Sequence, residues 1–165
     1  MQEGKPINQL YVMSVDRIVR DQSDLDYVQS LVDKNPDYFA TYQRPELGDF
    51  LYADANHDGN LDANDRIEIG NGNSPAFTFG GNIGISWKGF DFSMTWSGAT
   101  KVSRLLDDIF REPFGATDSR SLMKYMIDDM WTPEKGNSAK APAISFTNKV
   151  NNYRDSDLWL RDASY

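Results

Sequence analysis

Ala76-Phe77-Thr78-Phe79-Gly80-Gly81-Asn82-Ile83-Gly84-Ile85-Ser86-Trp87-Lys88-Gly89-Phe90-Asp91-Phe92-Ser93-Met94-Thr95-Trp96-Ser97 alternates apolar with small or polar residues on both sides of one Lys-Gly pair. Successive side chains of an extended chain point to opposite faces. Phe77, Phe79, Gly81, Ile83, Ile85 and Trp87 therefore share one face, and Thr78, Gly80, Asn82, Gly84 and Ser86 the other. Lys88-Gly89 has the length of a tight hairpin turn. The turn sets the register, and a slip of one residue would send every side chain to the wrong face. The expected pairs are Trp87 with Phe90, Ile85 with Phe92, Ile83 with Met94 and Gly81 with Trp96 on the apolar side. Ser86 with Asp91, Gly84 with Ser93, Asn82 with Thr95 and Gly80 with Ser97 follow on the polar side.

A strand of this length suits a tilted crossing of a bilayer, and aromatic residues lie toward both ends of the apolar face. A soluble sandwich shows the same alternation with its apolar face buried in protein. The small residues, glycines and single acid of the polar face suit a wet lumen better than a general surface rich in Lys and Glu. The fold class expected is mainly β with short loop helices, the hairpin at about 76–98 belonging to a transmembrane antiparallel β-barrel with long loops. Two strands do not stand alone, because isolated hairpins are marginal in water and open edges are not tolerated in lipid.

Upstream lies an acidic loop, Asp54-Ala55-Asn56-His57-Asp58-Gly59-Asn60-Leu61-Asp62-Ala63-Asn64-Asp65. Calcium takes oxygen ligands, which a short loop supplies when carboxylates and amides recur at alternate positions around a glycine turn. Asp54, Asn56 and Asp58 have that spacing and Gly59 stands at the turn. The backbone carbonyl of Asn60, then Asp62 and finally Asp65 complete the set. Asp65 stands where such loops usually carry Glu, and its shorter side chain weakens bidentate closure and affinity. Asp and Asn also favour tight turns without metal. Against a bare turn, the carboxylates of Asp54, Asp58, Asp62 and Asp65 repel one another in an empty loop. His57, the sole histidine, falls between ligand positions and reads as an exposed filler. The flanks, Asp49-Phe50-Leu51-Tyr52 and Arg66-Ile67-Glu68-Ile69, read as short strands. The candidate calcium-binding region, 49–70, is thus a loop on a β scaffold.

A net charge of −8 with a pI near 4.6 argues against nucleic-acid partners and against adsorption to anionic membranes. No long apolar run predicts a transmembrane helix. Gln2-Glu3-Gly4-Lys5-Pro6 does not read as an export signal, so export implies a signal upstream. The absence of cysteine removes disulfides and thiolate metal sites.

Elsewhere, Gln9 to Val19 reads as a strand. Ser23-Asp24-Leu25-Asp26 reads as a helix cap, followed by helical spacing of Leu25, Val28, Leu31 and Val32 up to Asn35. Further helical zones are expected over Val102–Phe110 and over Ser119–Trp131, the latter with a Met-rich stripe that reads as packed core. Ala143–Phe146 reads as extended. Catalysis is not expected: Asp107-Asp108 and Asp128-Asp129 are adjacent on helical zones and point apart, no triad can be assembled around His57, and no phosphate-cradling glycine loop precedes a helix. A soluble calcium-stabilised β-type carbohydrate-binding module, served by Trp87, Trp96, Trp131 and Trp159, is the alternative reading.

Four stretches together resemble the C-terminal portion of the SusC/RagA family, the TonB-linked outer-membrane transporters of Bacteroidetes. They are Glu3-Gly4-Lys5-Pro6-Ile7-Asn8-Gln9-Leu10-Tyr11; Gly48-Asp49-Phe50-Leu51-Tyr52-Ala53-Asp54-Ala55-Asn56-His57-Asp58-Gly59; the hairpin from Phe77 through Asp91; and Asp157-Leu158-Trp159-Leu160-Arg161-Asp162-Ala163-Ser164-Tyr165. The resemblance implies a plugged barrel in the cell outer membrane that imports oligosaccharides or peptides with a SusD-like surface lipoprotein and the TonB system. It also implies that residues 1–165 are a partial barrel region without plug or remaining strands. In that family's orientation Lys88-Gly89 is a periplasmic turn and the acidic loop is extracellular.

Overall fold

A computed structural model describes residues 5, 8–114, 121–144 and 150–165. Its β-structure consists of small antiparallel strand pairs accompanied by few helices, so the chain is mainly β. Two compact units are formed, and each is built from separate parts of the chain.

The larger unit spans residues 11–67 and 106–159. Its strands are β1 (Tyr11–Met13), β2 (Val15–Ile18), β3 (Phe50–Tyr52) and β4 (Arg66–Glu68), the last running across the boundary between units. β1 pairs with β4 and β2 with β3. The β2–β3 register runs Val15↔Tyr52, Arg17↔Leu51 and Ile18↔Phe50, with Asp16 bulged out. The strand expected over Gln9–Val19 is therefore two short strands. β3 is buried at every residue, as a strand covered on both faces must be.

α1 (Gln22–Lys34) is capped by Asp21, whose carboxylate accepts from the N–H of Ser23 at 2.9 Å and of Asp24 at 3.2 Å. The helix begins earlier than the Ser23 reading, because Asp21 Oδ1 takes up the orphan N–H groups of both Ser23 and Asp24. The Ser23 hydroxyl and then the Asp24 N–H hold Asp21 below the usual carboxylate range. α1 lays Val28 on Val19 and Leu51, with Leu25, Leu31 and Phe39 packed around them.

Asn152 ties the rest of this unit together from a fully buried position. Its Oδ1 accepts from the Phe50 N–H at 2.9 Å, its Nδ2 donates to Asp49 at 2.8 Å, and its carbonyl accepts from Trp159 Nε1 at 3.2 Å. The Trp159 and Phe50 rings meet edge-on, with centroids 6.3 Å apart. Tyr52 donates its hydroxyl to the Asn151 carbonyl. Gly48 has φ +86°, and a Cβ there would stand 2.5 Å from Ala143 Cβ and 2.7 Å from the Trp131 ring. Only glycine fits.

The expected helices of the second half are shorter than their apolar spacing suggests. Over Val102–Phe110 the chain forms β7 (Ser103–Leu105) and then α2 (Asp108–Arg111), which Asp107 caps. Strand pairing overrides helical periodicity there. In 119–131 the helix α3 covers Lys124–Asp129. Of the stripe Leu122, Met123, Met126, Ile127 and Met130 that was expected to pack, Met126 is buried and Leu122, Met123 and Met130 are half-buried, but Ile127 is exposed, because the short helix presents only part of that face to the core; Ser119 and Arg120 lie outside the described residues. Ala143 and Ile144 carry no regular structure, and Ser145 and Phe146 lie outside the described residues.

The smaller unit contains β5 (Phe77–Trp87), β6 (Phe90–Thr100), β7 and β8 (Leu160–Asp162). β5 and β6 pair in the expected register, from Trp87↔Phe90 through Ile85↔Phe92, Ile83↔Met94, Gly81↔Trp96 and Gly80↔Ser97. Pairing runs on to Phe77↔Thr100, beyond the expected end at 98. Lys88 and Gly89 both take positive φ, 47° and 86°, which matches the right-handed twist of the strands they join. Trp96 lies over Gly81, where a Cβ would stand 2.5 Å from the ring, and Phe79 covers Gly98 in the same way at 2.3 Å. β7 pairs with β8 through Ser103↔Asp162 and Leu105↔Leu160. Among the described residues no helix is long and apolar enough to cross a membrane.

Candidate functional site

The acidic loop leaves β3 after Tyr52 and returns to β4 through a single turn of tight helix at Ala63–Asp65. Gly59 takes φ +84°, the sharp turn its place in the motif demands, and His57 takes φ +60°. Leu61 is buried and donates its N–H to the Tyr38 carbonyl at 3.0 Å. Asn35, which ends α1, reaches over with Nδ2 to the Gly59 carbonyl at 2.7 Å and to Asn60 Oδ1 at 2.9 Å. The loop is thus fastened to the helix and to the core.

Three of the expected donors come together. The Asp58 N–H is shared by Asp54 Oδ1 at 3.2 Å and Asn56 Oδ1 at 2.9 Å, so these two oxygens converge on one point. Asn56 Nδ2 lies 3.0 Å from Asp58 Oδ2. Asp54 Oδ2 also accepts from the Gly59 N–H at 2.9 Å, and Asp58 Oδ1 from the Asn60 N–H at 2.8 Å.

The other two carboxylates are engaged differently. Asp62 caps the tight turn, accepting from the Asn64 N–H at 2.6 Å. Asp65 is fully buried and accepts from Ala55 N–H at 2.9 Å, Asn56 N–H at 3.4 Å and Asp62 N–H at 2.8 Å. A carboxylate offers about four acceptor positions, so three N–H groups nearly exhaust it. Asp65 closes the loop by itself, joining its first and last turns through the backbone.

Among the described residues no three Asp, Glu or His side chains stand together as a metal-holding group. The donor chemistry of Asp54, Asn56 and Asp58 fits a hard cation, with carboxylate and amide oxygens at alternate positions. Asp62 is engaged no more than Asp54 or Asp58, whereas Asp65, with three N–H partners, fits one only after giving some of them up.

Beside the loop is a groove of about 560 Å³ between α1 and β3. Tyr27, Lys34, Tyr38, Asp54 and His57 are among its lining residues, and the sequence reading did not single out Tyr27, Lys34 or Tyr38. The spacing of Tyr27, Leu31 and Lys34 on one helical face is the signal that was present. Burial, reinforced by the charge of Asp54, pushes the Tyr38 hydroxyl up to about 12. Burial also pushes Tyr52 up.

Of the four tryptophans considered for sugar stacking, Trp159 is in the core and Trp131 packs on Gly48. Trp87 and Trp96 are exposed on the hairpin. Compared with known proteins, the chain matches no protein-family model and no curated protein.

Proposed function

We propose that this chain is part of an outer-membrane importer of oligosaccharides or peptides, with the β5–β6 hairpin as two strands of a transmembrane barrel. The carrying observation is the hairpin's apolar face. Phe77, Phe79, Ile83, Ile85, Trp87, Phe90, Phe92, Met94 and Trp96 are all exposed, from 43% at Ile83 and Trp96 to 77% at Phe90. A patch of this size marks a surface made to meet protein or lipid. The opposite face carries only small or polar side chains, which suits water inside a barrel. A sandwich would bury the apolar face within its own protein, and the described residues of this chain do not.

The SusD-like lipoprotein, the TonB system and the solute class follow from the sequence resemblance. The acidic loop then serves as a structural clamp for calcium at the barrel mouth, with Asp54, Asn56, Asp58 and the Asn60 carbonyl as first ligands and Asp62 and Asp65 recruited on binding.

Single-tryptophan variants in vesicles of brominated lipid test the barrel reading. Lipid should quench Trp87 and Trp96 but not Trp159. If Trp87 and Trp96 stay bright and the chain folds as a monomer without detergent, the soluble calcium-stabilised module takes its place. Calcium titration tests the clamp: heat release and a raised thermal midpoint are expected, and the absence of both removes the cation from the proposal.

A further inference from the structure

The groove of about 560 Å³ beside the acidic loop lies wholly within the larger unit. Leu31 and Ala53 give it an apolar lining, and Tyr38, Asp54 and Asp58 a polar one. Tyr38 is only 7% exposed, and its ring is held edge-on to Phe39 with centroids 4.8 Å apart. Its backbone is used up as well, the N–H bonded to the Asn35 carbonyl and the carbonyl to the Leu61 N–H. The hydroxyl is different. It has no hydrogen-bond partner among the described residues, yet its oxygen still reaches open space. A buried tyrosine hydroxyl usually finds a partner in its own fold; this one is presented to the groove instead. After burial itself, the charge of Asp54 does most to push its ionisation up, which places the hydroxyl within the field of that carboxylate.

The two loop carboxylates leave acceptor positions open. Asp54 accepts from the Asp58 and Gly59 N–H groups, and Asp58 from the Asn60 N–H and Asn56 Nδ2. A carboxylate offers about four positions, so each keeps roughly two. Asp16, also in the lining, is already paired with Arg17 at 2.9 Å, and Lys34 is the one Lys or Arg that the groove itself contains. A ligand that matches this wall brings donors without acceptors. A sugar hydroxyl brings both, whereas a primary ammonium brings three donors and nothing else.

We infer that the groove binds a primary ammonium group on a short apolar stem, the chemistry of a peptide lysine or of a free alkylamine. The ammonium donates to Asp54, Asp58 and the Tyr38 oxygen, and the stem lies against Leu31 and Ala53. Calcium held by Asp54 and Asp58 would cancel the charge that draws the ammonium in, so the site belongs to the calcium-free loop.

The test is titration calorimetry on the whole chain in nonionic detergent micelles, at low salt and with a calcium chelator present. The probes are a blocked Ala-Lys-Ala tripeptide and n-butylamine, and the control is the same tripeptide with its lysine acetylated. Saturable binding of an amine is expected, the tighter of the two naming the source, and the acetylated peptide should give no heat. Tyr38→Phe, which keeps the ring, should weaken binding about tenfold by removing one bond to a charged group. Asp58→Asn should also weaken it, whereas Asp91→Asn, the same loss of charge on the hairpin, should not. No saturable binding of either amine overturns the inference. So does equal binding of the acetylated peptide, which would mean an apolar cleft only. Equal weakening by Asp91→Asn would mean general attraction to an acidic chain, and unchanged affinity in Tyr38→Phe would remove the hydroxyl from the site; either result overturns it too. Neither the barrel nor the calcium clamp enters these outcomes, so their failure and the failure of this site are told apart.

Discussion

The hairpin and the larger unit are held together by opposite kinds of contact. In the hairpin every pairing follows from one two-residue turn, and the large apolar side chains remain on the surface. In the larger unit the strands are only three or four residues long, and buried polar groups far apart in sequence hold them in place. The hairpin has regular backbone without a core. The larger unit has a core with little regular backbone, so a residue's importance there depends on which backbone groups it satisfies.

Substitution at Asn152 should break the larger unit most severely. Asn152→Ala leaves the Phe50 N–H and the Asp49 carboxylate without this partner, and should cost about 3 kcal/mol in urea unfolding. Exchange at hairpin amides should not change. Ile85→Arg should do the reverse. On a lipid-facing strand near mid-membrane, it should cost about 2–4 kcal/mol of stability in vesicles. In water the same substitution should stay within about 0.5 kcal/mol, because the site is already exposed.

The third contrast is one of pH. Tyr38 ionises near 12 in the folded chain against 10.0 ordinarily. Its folded form therefore holds the proton where the unfolded chain has lost it. Stability from this group is complete below pH 10 and falls as pH rises through about 12. Tyr38→Phe should flatten that alkaline limb in a pH series of thermal midpoints. The smallest effect should come from Asp21→Ala, which removes the α1 cap. It should lower the thermal midpoint slightly, and the difference from the parent chain should shrink as pH falls and the parent carboxylate protonates.

What could be read beforehand divides along the same line. The register of β5 and β6 was legible because loop length and alternation are both local. The Asp54, Asn56, Asp58 and Gly59 spacing was legible for the same reason, and Gly59 turns as the motif requires. The backbone partners of Asp65 were not: its oxygens are aimed at N–H groups of Ala55, Asn56 and Asp62, and this depends on how the chain closes. Val102–Phe110 misled because its spacing suits a helix while a partner strand, Leu160–Asp162, lies far along the sequence. Asn152 sits in a polar doublet that reads as loop, and nothing local marks it as the centre of a core.

The bond from Phe50 to Asn152 spans 102 positions, and the hairpin lies between them in the chain. On the ribosome, residues emerge at roughly 5–20 per second, whereas a hairpin closes in about 1–10 μs. The β5–β6 hairpin can therefore be complete, with its apolar face bare, seconds before Asn152 is made. Through that interval the nascent chain shows its stickiest surface while its larger unit is still open.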